Sequence, residues 1–251
     1  MSEKKCLIHQ PQGLGDIIWL QPMVSSLIAG GFTVHHPVCD LYYDQVVKHM
    51  PRSGVVWHRE TDNFPMKAHY GAPGIFWSGE GNTNLYLSMF HASIPKCPPM
   101  MAKYAVMRMP LSDWRAEVTI VRDRQREADL LSTYGIDEDT VLVNDMYGTP
   151  PASKVAIGMD SQALAGRRKV HRMSFEEDRR RGFTAFDWIG AIEVAAEFHT
   201  VYTSLCYFAD LFSKPKAGLH MYDRRSHPQQ PQEFLWIVSF VHRHPNWTYH
   251  L

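Results

Sequence analysis

Two short stretches of this 251-residue chain carry residues that could do chemistry. The first is Gln12-Gly13-Leu14-Gly15-Asp16-Ile17-Ile18, a single carboxylate set directly behind a pair of glycines. A β-type run, Cys6-Leu7-Ile8-His9, precedes it. Apolar residues at helical spacing follow it (Ile17, Ile18, Leu20, Val24, Leu27, Ile28), so the stretch reads as strand, glycine turn, helix. Glycine allows a sharp turn and a close approach of backbone to a ligand. A carboxylate at the mouth of a helix is either an N-cap or a general base, and taken alone the N-cap is the commoner use. The order G-x-G-D is not G-x-G-x-x-G, and no acidic residue sits where a ribose contact would need it, so this is not a dinucleotide fingerprint.

The second stretch is Thr200-Val201-Tyr202-Thr203-Ser204-Leu205, which reads as strand, hydroxyl-rich turn, helix. Two hydroxyls and free N–H groups at a helix N-terminus suit a phosphate, although Thr-Ser is equally a routine cap. Lys154 and Arg172 are cations that could join such a seat. The basic run Arg167, Arg168, Lys169, His171, Arg172, Arg179, Arg180 and Arg181 either meets phosphates or is a solvated face balanced by Glu176, Glu177 and Asp178, and the two readings weigh evenly. Aromatic residues crowd positions 64 to 90 (Phe64, Tyr70, Phe76, Trp77, Tyr86, Phe90). They could stack on a flat or sugar-like acceptor, but for any one of them core packing is the commoner role.

The elements that must position these residues alternate. Strands are expected at Phe32–His36 and Gly54–Trp57 with a helix at Leu41–His49 between them, a βαβαβ order that predicts a parallel, doubly wound sheet. A helix is expected at Leu85–Ala92 and a long one over 113–134, capped by Asp113 and stopped by Gly135. Strand Val141–Asn144 and the glycine loop after it restart the pattern, so two α/β domains are expected, 1–125 and 126–251. In the second, the reading gives two strands within 152–183 around a turn at Gly166. A helix follows at Phe186–Phe198, a strand at Thr200–Tyr202 and a helix at Leu205–Phe212. A strand at Lys216–Met221 and a helix at Phe234–Val241 complete it. Both chemical stretches then lie beyond the C-terminal ends of parallel strands, where open α/β sheets bind ligands.

Composition narrows the class. Hydrophobic residues make up 45%, enough for one large or two small cores, and 26 basic residues balance 26 acidic ones, so no global basic field attracts nucleic acid. The polar N-terminus is not a signal peptide and no apolar run reaches the ~20 residues of a membrane span. The four cysteines are scattered without a C-x-x-C and read as free thiols of a reducing, cytoplasmic compartment, which also leaves the Asn246-Trp247-Thr248 pattern idle. No Asp-x-Asp is present, and the 14 histidines are dispersed, so no metal is expected.

Gln12 to Ile18, followed by Leu20-Gln21-Pro22, resembles the N-terminal motif of the heptosyltransferase-like family of GT-B glycosyltransferases, whose Gly-Asp pair carries a catalytic aspartate. Thr203-Ser204-Leu205, with Ala209-Asp210 and Lys214-Pro215, resembles that family's diphosphate-binding turn and helix. Lys103-Tyr104, Asp113-Trp114-Arg115, Arg126-Glu127, Val143 to Gly148, Phe186-Asp187-Trp188 and Asn246-Trp247 resemble glycosyltransferase-like proteins that include ones from tailed phages. Two departures stand out: Tyr202 replaces the acid of the family's turn, and Leu219 to Asp223 replace its glycine-proline run.

The resemblance implies a GT-B-like α/β fold, two Rossmann-like doubly wound domains facing a central cleft. Residues 1–125 would take the acceptor, with Asp16 as base and Gly13, Leu14, Gly15 and Trp77 around it. Residues 126–251 would hold the nucleotide sugar, with Tyr147, Gly148, Lys154, Arg172, Tyr202, Thr203, Ser204 and Leu205 at the diphosphate or nucleotide. The implied reaction is an inverting, metal-independent transfer of a hexose or pentose from a nucleotide-diphosphate sugar, a substrate rather than a cofactor, to an acceptor hydroxyl. The phage likeness points to a 5-hydroxymethylcytosine-type base in double-stranded DNA, in a host cytoplasm. The family likeness points to a lipopolysaccharide-type saccharide, and an inactive GT-B-like binding module is the remaining alternative. A DNA acceptor needs a basic groove and a pocket for an extruded base, which 167–181 and 64–90 could supply, although the neutral overall charge counts against it. A membrane-surface acceptor calls for a basic amphipathic helix, and none is seen.

Overall fold

Cys6, Leu7 and Ile8 are all fully buried, one strand covered on both faces, as the centre of a parallel sheet requires. In the computed structural model these residues belong to β1 (Lys4–Ile8). It pairs in parallel with β2 (Phe32–Val38), and β2 in turn pairs with β3 (Val55–Arg59). On its other side β1 pairs in parallel with β5 (Asn84–Leu87), whose outer neighbour β4 (Ile75–Ser78) is antiparallel. The sheet order is β3-β2-β1-β5-β4. Residues 3–79, 81, 83–95, 97–110, 113–147, 155–156, 169–213, 218–223, 241–242 and 246–250 are described. The chain divides into two compact units, Met1–Val121 and Arg122–Leu251, against an expected boundary after 125.

The crossover from β1 to β2 holds α1 (Leu14–Trp19) and α2 (Gln21–Ala29), and α3 (Asp40–His49) joins β2 to β3. Leu20, Met23, Val24 and Leu27 press on Cys6, Ile8, Val34, Leu85 and Leu87 from one side of the sheet. From the other side Leu7 and Tyr86 receive Phe64, Met66, Tyr70 and Phe76. Four of the six crowded aromatics are therefore core or core-packed residues.

The second unit repeats the plan with β6 (Thr140–Asn144), β9 (Lys169–Arg172), β10 (Glu197–Val201), β11 (Gly218–Tyr222) and β12 (Trp247–His250), all parallel in the order β12-β11-β10-β6-β9. A short antiparallel pair, β7 (Met146–Tyr147) and β8 (Val155–Ala156), follows β6. Helices α4 (Pro99–Val106) in the first unit and α5 (Arg124–Tyr134), α6 (Phe175–Arg181), α7 (Ile189–Val194) and α8 (Ser204–Phe212) in the second complete the described helices. None is long and apolar enough to cross a membrane. All four cysteines are free thiols.

Four expectations need correction. Leu85–Ala92 is not a helix: Leu85, Tyr86 and Leu87 lie in β5, where burial on both faces of the sheet outweighs a weak helical spacing. The long helix over 113–134 is instead a 3-10 turn at Trp114–Glu117, an extended link, and α5. The β-branched run Val118-Thr119-Ile120-Val121 favours extended backbone, and Asp123 caps the new start by accepting from the Arg126 N–H at 3.1 Å. The helix at Phe186–Phe198 ends at Val194, and Phe198 is buried within β10. Asn246-Trp247 opens not a tail but a fifth parallel strand. The turn at Gly166 and the helix from Phe234 lie outside the described residues.

Burial also fixes a pH response. His9, His35 and His36 are each held near pKa 4, chiefly because their cationic forms are desolvated, with His91 beside His9 and His58 beside His35 adding repulsion. An unfolded histidine takes its proton near 6.5, whereas these resist until about 4. Their stabilising effect is therefore complete above pH 6.5 and lost as pH falls toward 4. The first unit's Tm should be flat from pH 8 to about 6.5 and fall between 6.5 and 5, above the carboxylate range. A Tm unchanged over that interval would contradict the assignment.

Candidate active site

The turn after β1 is built on one left-handed residue. Gly13 sits at φ 78° and ψ 87° as the N-cap of α1, with no side chain capping that helix. Asp16 is thus the third residue of α1 and not its cap, so the plain capping role does not account for it. Its carboxylate folds back over Gly13. A Cβ at that position would lie inside contact distance of Asp16 Oδ2 besides forcing an unfavourable φ. Leu20 ends α1 through its N–H to the Asp16 carbonyl at 3.0 Å, and Pro22 restarts the chain as α2.

Asp16 Oδ1 is ion-paired with Lys103 Nζ from α4. The lysine side chain is 5% exposed and the aspartate's 32%. Lys103 also donates to Gln10 Oε1 at 2.7 Å, and Gln10 Nε2 donates to the Gln12 carbonyl at 2.7 Å. The loop, the lysine and the aspartate are therefore one network. Helix α4 is strapped to α1 at two more points: Trp19 Nε1 donates to the Met100 carbonyl at 2.9 Å, and the Tyr104 hydroxyl to the Trp19 carbonyl at 2.5 Å. Among the described residues nothing donates to Asp16 Oδ2. One carboxylate oxygen is anchored by a charge-assisted bond and the other is open to accept a proton. In the sequence Lys103 stands out only through the Lys103-Tyr104 likeness and as a lone cation amid Met100, Met101, Ala102, Tyr104 and Ala105, and the structure is what joins it to Asp16.

The other expected acceptor residues separate. Gly15 lies beside Asp16 in the first turn of α1, but the Leu14 side chain is buried in the core. Trp77 is half exposed on edge strand β4, and its ring packs 5.9 Å from that of Phe32. Phe32 begins β2, so Trp77 leans toward the sheet edge opposite Asp16. At Asp16's own edge the exposed aromatic is Phe90, against His9, with Ser88 Oγ 3.4 Å from His9 Nδ1 and 3.0 Å from His91 Nδ1.

In the second unit Thr203 is the N-cap of α8. Its Oγ1 accepts from the Leu205 N–H at 3.3 Å and from Asn144 Nδ2 at 3.2 Å, while Asn144 Nδ2 also donates to Thr200 Oγ1 at 2.9 Å. Both lone pairs of the Thr203 hydroxyl are thereby used, and its proton points to no described acceptor. The Leu205 N–H is spent on this cap and its side chain is buried, so it is not a free donor to a ligand. Ser204, half buried, makes no hydrogen bond through its hydroxyl among the described residues, and as the first helical residue its N–H has no intrahelical acceptor. Asn144 Oδ1 is buried at the same sheet edge, also without a described partner. The Tyr202 hydroxyl is 3.2 Å from that of Tyr207. Arg172 ends β9 at this edge, exposed and ion-paired with Asp145. Tyr147 is described as backbone within β7, and Gly148 and Lys154 lie outside the described residues.

The charge run resolves in part. Glu176, Glu177 and Asp178 fill the first turn of α6 and Arg179, Arg180 and Arg181 its last, the distribution that a helix dipole favours. Arg181 pairs with Glu177 at 2.9 Å. Asp187 and Trp188 prove structural: Asp187 completes a capping box with Thr184, and buried Trp188 donates to Asp178 Oδ2 at 2.9 Å.

The fold has solved counterparts. A family 9 glycosyl transferase from Veillonella parvula superposes with a TM-score of 0.50 at 10% identity, covering 88% of this chain and 80% of that one. Other matches score lower. The iron-containing dodecameric glycosyltransferase TibC of enterotoxigenic E. coli gives 0.41 at 10% identity, over 88% and 58% of the two chains. The E. coli heptosyltransferase WaaC with ADP gives 0.36 at 10%, over 90% and 88%. No protein-family model and no curated sequence matches the chain. At this identity the likeness establishes the α/β fold with two parallel-sheet units of GT-B type, and not the chemistry.

Proposed function

We propose that the protein is a glycosyltransferase that moves a sugar from a nucleotide-diphosphate donor to an acceptor hydroxyl, with Asp16 as general base. The observation that carries this reading is the anchored carboxylate: Oδ1 tied to buried Lys103, Oδ2 open, at the C-terminal edge of a parallel sheet. As the acceptor oxygen attacks the anomeric carbon, its proton passes to Asp16 Oδ2 and the bond from that carbon to the diphosphate breaks. Attack opposite the leaving group inverts the anomeric configuration. Negative charge develops on the departing diphosphate and is received by the Ser204 N–H and the Thr203 and Ser204 hydroxyls, donors already held in place by the α8 cap. Arg172 stands at the same edge as a cation that can exchange Asp145 for phosphate. Donor binding is thus assigned to the second unit and acceptor activation to the first.

Between acceptors, a saccharide is favoured over DNA. Much of the aromatic material that a DNA acceptor pocket would use is committed elsewhere, with Phe64, Tyr70, Phe76 and Tyr86 packed in the core, and of the α6 arginines Arg181 is paired with Glu177. The deciding experiment incubates the protein with UDP-, GDP-, ADP- and CMP-sugars and either lipopolysaccharide-type oligosaccharides or DNA containing 5-hydroxymethylcytosine, and reads product mass. A glycosylated saccharide supports the reading. A glycosylated base would move the acceptor to DNA, and no turnover or donor hydrolysis with any sugar would leave a binding module. On the donor side, replacing Thr203 and Ser204 together by alanine should raise the donor KM by about 10- to 100-fold, the worth of one or two hydrogen bonds to a charged group, and lower kcat as well, because the same hydroxyls receive the charge of the departing diphosphate. An unchanged KM would remove the phosphate seat.

A further inference from the structure

Histidines scattered along the sequence meet on one face of the second sheet. Register pairs Glu197 with Gly218, His199 with His220 and Val201 with Tyr222, and then Tyr222 with His250. Because side chains alternate across a strand, Glu197, His199, His220, Tyr222 and His250 share a face. The His199 and His220 rings stack at 4.2 Å, as do those of Tyr222 and His250. Glu197, His199 and His220 each bring one ligand atom to within 4.8 Å of the others.

We propose that Glu197, His199 and His220 form a binding site for a divalent transition-metal ion, with Zn2+ as the ion the donors suit best. Two imidazoles and one carboxylate favour Zn2+ and its first-row neighbours over Mg2+ or Ca2+, which take oxygen shells. The surroundings are those of a built site. His199 Nε2 faces Glu197 Oε2 at 3.0 Å while its Nδ1 is held by the Tyr222 hydroxyl at 2.9 Å. His220 Nδ1 is held by His250 Nε2 at 3.1 Å. Each ligand imidazole thus has its second nitrogen fixed by a partner, the arrangement that sets ring orientation at metal centres. Gly218 keeps the gap open: a Cβ there would stand 3.1 Å from Glu197 Cγ and 3.3 Å from His220 Nε2. Three protein ligands leave a fourth position for water. Glu197 starts β10 whereas Thr203 follows its end, so the ion would brace β10 and β11 away from the diphosphate seat.

The test uses the full chain, freed of any purification tag and stripped with EDTA. Titration with Zn2+ should show one equivalent bound at micromolar ion, with a rise in Tm. Co2+ should give the visible d–d bands of a low-coordinate site, and X-ray absorption at the Zn2+ edge should show imidazole scattering from two rings. Glu197→Gln and His220→Gln should each weaken Zn2+ by at least about tenfold. Absence of saturable binding, an edge spectrum without imidazole, or variants that fold and bind as tightly as the parent would overturn the site. The edge spectrum decides should the variants fail to fold. None of these readouts depends on glycosyl transfer.

Discussion

Asp16→Asn should fold as the parent does and lose turnover by about 10²- to 10⁴-fold, the worth of a positioned general base. Asparagine is nearly isosteric, and its Oδ1 can still accept from Lys103 Nζ, so the network through Gln10 and the straps from Trp19 and Tyr104 stay in place. What disappears is the proton-accepting oxygen, Oδ2. The expected pattern is a collapse in kcat with the donor KM close to the parent's, because the proposed diphosphate seat belongs to the second unit. Steady-state kinetics on the donor and acceptor found in the product screen, with circular dichroism for the fold, check it. A variant with parental kcat would end the base assignment while leaving donor binding untouched.

Asp187→Ala should cost the second unit about 3 kcal/mol. The Asp187 side chain is fully buried and accepts four hydrogen bonds. Arg126 Nε and Nη2 donate at 3.0 and 2.9 Å, and the Thr184 N–H and hydroxyl at 2.7 and 3.0 Å. Alanine removes the cap of the turn that precedes α7, leaves a half-buried guanidinium without its fork partner, and loosens the packing around Trp188 and Tyr134. For a unit of this size the loss corresponds to a fall in Tm of roughly 10 °C. A double-mutant cycle with Arg126→Ala should show strong non-additivity, since either change alone breaks the pair. A cost within about 0.5 kcal/mol, the scale of an ordinary surface substitution, would show that the bonds are replaced by water.

The parts of this protein legible in its sequence are those governed by neighbours in the chain. Strand, glycine turn and helix around Asp16, the Thr203 cap, the left-handed stop at Gly135 and the parallel order of the first three strands all depend on hydrogen bonds and φ preferences within a few residues. The errors arose where a local pattern was ambiguous. Leu85 to Ala92 has helical spacing but is claimed by a two-sided sheet, and residues 113 to 134 have a cap at one end and a stop at the other but a β-branched break between them.

Side-chain partnerships across the chain had no such signal. Lys103 reaches Asp16 over 87 residues because α4 is strapped to α1, and only that packing turns an aspartate with two possible roles into a carboxylate with one oxygen held and one open. Trp77 and Phe90 were indistinguishable as sequence; the sheet register sends them toward opposite edges. The histidines that looked dispersed converge because parallel pairing sets residues 199, 220 and 250 on adjacent strands of one face. The sequence by itself thus determined the two α/β units and the turns that carry Asp16 and Thr203, since backbone conformation is a near-neighbour property. Only the tertiary structure decided which side chains meet at those turns and on that sheet face, because such meetings depend on strand order, register and burial.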